Sequence, residues 1–275
     1  SEGIMFPDGT IQKTAAGPAF VAIGGYGHNT DRVTSTPTRE VTSAVIAGGS
    51  SSATGKGSRV QATGATIGPV YGNEVGTNTW YGEDAGHSIT TGGQNSFFGE
   101  IAGYSNTSGW SNSFFGNSAG RSNSTGECNS FFGTFAGYSN INGNWNSFFG
   151  SGAGFQNTGG SENAFFGSRA GFSNIDGNWN AFFGTNAGYS NTTGLTNAFY
   201  GQKAGYTNNS GSSNALFGES AGYSNTSGGF NSFFGRRSGL NNSLGSSNSI
   251  FGYQAGQANT TENNNSFFGA YSDGA

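Results

Sequence analysis

Asn95-Ser96-Phe97-Phe98-Gly99 returns 17 residues later as Asn112-Ser113-Phe114-Phe115-Gly116, and the spacing holds to Asn265-Ser266-Phe267-Phe268-Gly269. Counted backwards, the first copy is Asn78-Thr79-Trp80-Tyr81-Gly82, so twelve copies are related by eleven steps of 17 with no insertion or deletion. A fixed period in this range marks an array whose units are stable only when stacked on their neighbours. With the first Asn as position 0, positions 2 and 3 are large and apolar throughout, and position 4 is glycine from Gly82 to Gly269. Position 7 is alanine from Ala85 to Ala255 except Ser238, and position 8 is glycine from Gly86 to Gly256. Position 11 is asparagine from Asn106 to Asn259, with Ile89 before them, and position 14 is glycine except Glu262.

Seventeen residues with three fixed glycines make a poor helix, because glycine costs about 1 kcal/mol per helical site. The apolar positions also lack the three-and-four spacing of a helix face. Short strands broken by turns fit better, with the glycines at positions 4 and 14 as turn residues that accept positive φ. One repeat then forms one coil of a parallel β-solenoid, the coils lie ~4.8 Å apart, and twelve of them make a rod of roughly 55 Å. Identical residues stack on one another, so the asparagines at positions 0 and 11 are expected to form amide ladders.

Neighbouring residues of a strand face opposite ways, so positions 2 and 3 put aromatic columns on both sides of one strand. A coil has one interior. The other column would form an outer stripe larger than a soluble monomer normally exposes. Burial against other chains in a closed cyclic assembly removes it, and three chains about an axis is the expected arrangement.

Composition narrows the function. The chain has 275 residues, 52 of them glycine and 25 phenylalanine, with only 9% charged and a net charge of −4. Disordered chains lack aromatics, and here the aromatics keep a fixed phase. The prolines, Pro7, Pro18, Pro37 and Pro69, all precede the array, as an unbroken backbone ladder requires. Nucleic-acid binding is not expected without a basic run. Nor is membrane insertion, since no stretch nears the ~20 apolar residues of a span. No signal peptide is recognisable, and the chain opens at Ser1, as a processed or cut piece of a longer protein would. Cys128 is the single cysteine and reads as a small side chain at a variable position.

The run Asn180-Ala181-Phe182-Phe183-Gly184-Thr185-Asn186-Ala187-Gly188-Tyr189-Ser190-Asn191-Thr192-Thr193-Gly194 resembles the repeat regions of phage-tail-fibre-like proteins of bacteria. The N-S-F-F-G-x-x-A-G core is also similar to the heads of trimeric autotransporter adhesins, whose shorter repeats form a left-handed parallel β-roll that is an obligate trimer. Gly3-Ile4-Met5-Phe6-Pro7-Asp8-Gly9-Thr10-Ile11-Gln12 is similar to a segment found before such fibres, and reads as strand, Pro-Asp-Gly turn and strand. The resemblance implies a homotrimeric, extracellular fibre on a cell surface or virion, joined to adjoining fibre modules. It often implies a C-terminal self-cleaving chaperone as well. Nothing up to Ala275 resembles one, which fits removal on maturation or a cut chain.

The expected organisation is a connector over residues 1–17, a divergent β cap or transition over 18–77, and the solenoid over 78–275. Within the middle part, Phe20-Val21-Ala22-Ile23-Gly24 looks like a divergent coil and Ala44-Val45-Ile46-Ala47-Gly48 like an apolar strand. Tyr71-Gly72-Asn73-Glu74-Val75-Gly76 echoes the start of the array as a shortened rung.

An enzyme is not expected. His28 and His87 are isolated, no cluster of His, Cys or carboxylates suits a metal, no serine elbow is placed for a hydrolase, and no cofactor is assigned. Positions 5, 6, 15 and 16 vary between copies and are expected to face solvent. Trp110 is at position 15, and Trp145, Trp179 and Phe230 are at position 16. With the amide neighbours Asn144 and Asn178, these rings are candidates to stack on sugars. Alternatively they pack at the edge between chains. Tyr104, Tyr138, Tyr189, Tyr206 and Tyr223 at position 9 form a further, structural column, and Arg236 and Arg237 a basic spot at a turn. The leading expectation is therefore a trimeric adhesin for a cell-surface receptor, protein or glycan. A purely structural spacer or shaft is the alternative. An ice-binding solenoid is a minor one, resting on the threonines of position 12, which Ile141, Ile175 and Asn209 interrupt.

Overall fold

The computed structural model describes residues 4–5, 11–12 and 78–273. The chain divides into two units, Ser1–Thr38 and Arg39–Ala275. In the first, strands β1 (Ile4–Met5) and β2 (Ile11–Gln12) pair antiparallel, with Ile4 opposite Gln12 and Met5 opposite Ile11. This is the expected strand–turn–strand pairing. The Pro7-Asp8-Gly9 turn itself, the boundary at residue 17 and every element expected over 18–77 lie outside the described residues.

Among the described residues the second unit carries twelve strands of three residues each. They are β3 (Thr79–Tyr81), β4 (Ser96–Phe98), β5 (Ser113–Phe115), β6 (Ser130–Phe132), β7 (Ser147–Phe149), β8 (Ala164–Phe166), β9 (Ala181–Phe183), β10 (Ala198–Tyr200), β11 (Ala215–Phe217), β12 (Ser232–Phe234), β13 (Ser249–Phe251) and β14 (Ser266–Phe268). They form one parallel sheet in chain order. Every residue faces its equivalent 17 positions on, as Ser147, Phe148 and Phe149 face Ala164, Phe165 and Phe166. The architecture is an all-β parallel solenoid.

Only positions 1 to 3 are strand. The rest of each coil is turn, yet it still bonds from rung to rung. The N–H of Gly154 donates to the Ala170 carbonyl at 3.0 Å, Ser173 to Tyr189 at 2.9 Å, and Ile175 to Thr192 at 3.0 Å. Backbone groups of the turns are thereby satisfied, as buried ones must be.

Position 2 points inward. Phe97, Phe114, Phe131, Phe148, Phe165, Phe182, Phe199 and Phe233 have no exposed surface, and Leu216 and Ile250 fill the same column. Successive rings stack with centroids 4.7–4.9 Å apart. The alanines of position 7 close the core from the opposite wall. Glycine at position 8 has φ near +58°, and a Cβ there would run into the position 2 ring, as at Gly154 against Phe148. Position 4 glycines have φ from 113° to 143°, a region closed to other residues.

Two expectations need correction. The glycines of position 14 are not positive-φ turn residues; a Cβ there would strike the position 14 carbonyl of the next rung, as Gly177 would strike Gly194. The left-handed turns sit at positions 6 and 16 instead, where non-glycine residues such as Ile101, Phe135, Arg169, Trp145 and Thr196 have φ of 51–59°. The asparagine columns also differ from each other. Position 11 is an amide ladder, with Asn174 Nδ2 donating to Asn157 Oδ1 at 2.7 Å and to the Gly177 carbonyl at 3.0 Å. At position 0 the side chain bridges mainly to backbone: Asn163 N–H donates to Asn146 Oδ1 at 3.0 Å, and Asn146 Nδ2 to the Gly160 carbonyl at 2.8 Å, while amide-to-amide bonds join Asn163 to Asn146 and Asn214 to Asn197 at 3.2 Å.

Candidate functional site

Position 3 lies on the outer face of the sheet, beside the serines and alanines of position 1. Its rings form an unbroken stack, from Phe98 on Phe115 at 4.8 Å to Phe251 on Phe268 at 5.2 Å, with planes within 7° of parallel. Stacking covers the ring faces, so the interior members are mostly half-buried within one chain; Phe268, at the end, is 67% exposed. The sequence argument that only another chain can shield this row is therefore too strong. The row shields its own faces and leaves its outer edges to solvent. No charged residue stands at position 1 or 3 of β3–β14.

A second outer column runs down position 9. Tyr138, Phe155, Phe172, Tyr189, Tyr206 and Tyr223 stack at 5.0–5.1 Å. The Arg121 guanidinium lies between the Tyr104 and Tyr138 rings, 5.7 and 5.5 Å from their centroids, and donates to Tyr138 Oη at 3.0 Å. Burial in this stack pushes the Tyr206 phenol above its ordinary value, and Tyr189 and Tyr223 add to the shift.

The candidate ligand-binding rings are all at the surface. Trp110 is 37% exposed, Trp145 59%, Trp179 55% and Phe230 70%. Trp145, Trp179 and Phe230 occupy the left-handed position 16, with φ of 54°, 58° and 59°. Their backbones are tied to the preceding rung: Trp145 N–H donates to the Glu127 carbonyl at 3.0 Å, Trp179 to Ser161 at 3.2 Å and Phe230 to Ser212 at 3.0 Å. Trp145 and Trp179 share position 16 two rungs apart, which puts them about 10 Å apart by the strand spacing, and Trp110 stands at position 15 two rungs before Trp145. Exposed Glu162 lies in the rung between Trp145 and Trp179. Phe230 stands three rungs beyond Trp179 and is not part of this group.

Asn144 and Asn178 serve the backbone. Asn144 Oδ1 accepts from Glu127 N–H at 2.7 Å, and Asn178 Oδ1 accepts from Ser161 N–H at 2.7 Å. Asn178 Nδ2 donates to the Asp176 carbonyl at 2.9 Å. Their identity reports on rung stacking more than on a ligand. The hydroxyls of position 12 also bond to the next rung: Thr107 donates to the Ser124 carbonyl at 3.1 Å, Thr192 to Asn209 at 3.2 Å and Thr226 to Ser243 at 3.0 Å. At the basic spot, Arg236 Nε lies 2.9 Å from Glu219 Oε2 of the preceding rung. Cys128 is exposed. His87 stacks on Tyr104 at 4.8 Å and lies 3.6 Å from Asp84.

Among the described residues no group of three or more His, Cys, Asp or Glu is placed to hold a metal. No helix among them is long and apolar enough to cross a membrane. No protein-family model, curated protein or solved structure matches this chain. The class defined by the fold is thus a β-solenoid repeat protein, and its surface is what remains to be read.

Proposed function

We propose that this chain is a non-enzymatic, extracellular fibre module, trimeric in solution, that presents the position 16 edge carrying Trp145 and Trp179 to a cell-surface glycan. The observation that carries the assembly is the outer face of β3–β14: an aromatic row flanked by small side chains and free of charge. Interface cores have that composition, rich in aromatics and depleted in charge. Rings whose faces are already covered present only their edges, so a second copy meets a preordered surface at small entropic cost. Indole faces held on a rigid backbone stack on sugar rings through the same apolar and quadrupolar attraction that pairs aromatics.

Sedimentation equilibrium tests the assembly. The expected mass is about three times the 28.0 kDa chain, and a species of one chain mass at tens of micromolar overturns it. Glycan-array binding tests the edge: wild type is expected to bind, and a Trp145→Ala, Trp179→Ala double variant to lose the signal while keeping its mass and circular dichroism. The uniformity of the rungs favours a second reading, a shaft that spaces other modules. A trimer silent on the array selects it.

A further inference from the structure

Among the described residues the lysines and arginines are Arg121, Arg169, Lys203, Arg236 and Arg237. Two of them are engaged by neighbours. Arg121 lies between the Tyr104 and Tyr138 rings, and Arg236 is paired with Glu219 and sits 5.7 Å over the Tyr253 ring. The other three share position 6 and recur every second rung. Arg169 is exposed, and Lys203 and Arg237 are partly exposed. Their backbones are fixed alike, with φ of 55°, 59° and 59°. Each N–H donates to the position 5 carbonyl of the preceding rung, Arg169 to Ser151 at 2.9 Å, Lys203 to Thr185 at 3.0 Å and Arg237 to Glu219 at 2.9 Å. The three side chains therefore leave the coil from one line, about 10 Å apart by the strand spacing. Asn186 and Ser220 fill position 6 of the rungs between.

Acids are sparse beside this line. Over residues 163–239 they are Asp176, at position 13, and Glu219, whose carboxylate is taken by Arg236 at 2.9 Å. The whole chain carries −4, so the line reverses the sign locally. The aromatic column of position 9 runs alongside it. Phe135, at position 6 of an earlier rung, meets Tyr138 edge-on at 5.8 Å. A Cβ at Gly152 would lie 3.6 Å both from Arg169 Cγ and from the Phe172 ring. Tyr189, Tyr206 and Tyr223 carry the column through the rungs of Asn186, Lys203 and Ser220, and add phenol hydroxyls.

We propose that Arg169, Lys203 and Arg237, with the tyrosines beside them, form a binding site for an anionic polysaccharide that carries one carboxylate per disaccharide. The charge period selects this class. One cation about every 10 Å is close to the length of an extended disaccharide, whereas duplex DNA carries a charge about every 1.7 Å. Guanidinium groups take carboxylates in charge-assisted, bidentate pairs. The phenol edges give sugar rings an apolar wall and a hydroxyl partner. The coil fixes the points from which the three cations project before a ligand arrives, which lowers the cost of ordering them. The site is distinct from the position 16 edge and holds for one chain or several.

Isothermal titration with a hyaluronan oligosaccharide, which has one glucuronate per disaccharide, tests it at low ionic strength, where exposed charges are least screened. Wild type is expected to bind. The triple variant Arg169→Gln, Lys203→Gln, Arg237→Gln is expected to bind at least about tenfold more weakly, three charge-assisted contacts being lost, with unchanged circular dichroism. Asn186→Lys combined with Lys203→Gln keeps the net charge and breaks the period, and is expected to weaken binding about threefold or more. The Trp145→Ala, Trp179→Ala double variant is expected to bind as wild type does, which separates this site from the position 16 edge. No binding by wild type, or wild-type affinity in the triple or the charge-conserving variant, would overturn the proposal. So would loss of binding in the tryptophan variant, or tighter binding of a single-stranded oligodeoxynucleotide of equal charge.

Discussion

Asn174 shows how much one side chain carries in this fold. Its Nδ2 donates to Asn157 and Gly177, and its Oδ1 accepts from Asn191 at 2.8 Å, all without exposed surface. Alanine there strands several buried polar groups, at about 1–3 kcal/mol each. Asn174→Ala is expected to lower the unfolding free energy by roughly 3 kcal/mol in denaturant titration. Asn174→Asp is expected to cost more at neutral pH, since a buried carboxylate would face two acceptors. Ile101 is the reverse case. Its φ of 51° is unfavourable for a β-branched residue, and Ile101→Gly is expected to raise stability by about 1 kcal/mol.

At the scale of the strand, alternation separates two phenylalanines that look alike in sequence. Phe148 is fully buried, and Phe149 is half-buried in the outer stack. Phe148→Ala is expected to cost about 3–5 kcal/mol in any assembly state. Phe149→Ala is expected to cost clearly less in dissociated chains and to approach the same figure only where another chain covers the face; thermal unfolding across a concentration series reads the difference. Glu262 adds a pH dependence. The N–H of Thr260, then those of Glu262 and Thr261, hold the Glu262 carboxyl below its ordinary 4.5. Its folded value is depressed, so its contribution is whole above about 4.5 and fades as pH falls through the folded value. Amide exchange at Thr260 and Thr261, measured relative to Glu262→Gln at each pH, is expected to be slower in wild type above that range and to converge with it in acid.

Across the whole molecule, what was legible in the sequence is what the period exposes. The 17-residue coil, the parallel register and one aromatic column in, one out, follow from Asn78 to Gly269 without coordinates. The left-handed residues of positions 6 and 16 were not legible, because Trp145, Arg169 and Thr196 share no chemistry; the stacked backbone imposes their φ. The bridging role of position 0 was hidden because both asparagine columns look the same in one dimension. Glu262 was visible as the one break in the glycine column, but its bonds to the Thr260 and Thr261 N–H groups were not. For the candidate site, the sequence placed all four rings at the surface, but Asn144 and Asn178 proved to be holding backbone.

Pairing each residue with its equivalent 17 positions on has a consequence for how such a chain can change in size. Excising residues 180–196 would lay Phe165 against Phe199 and Asn163 beside Asn197, surfaces that match as well as the originals did. Such a shortened protein is expected to fold, with circular dichroism per residue unchanged and a melting temperature within a few degrees, whereas excising 16 or 18 residues from the same place should abolish folding. Recombination between repeats can therefore lengthen or trim this protein in whole coils, with the interior indifferent to the event and only the pattern of surface side chains recording it.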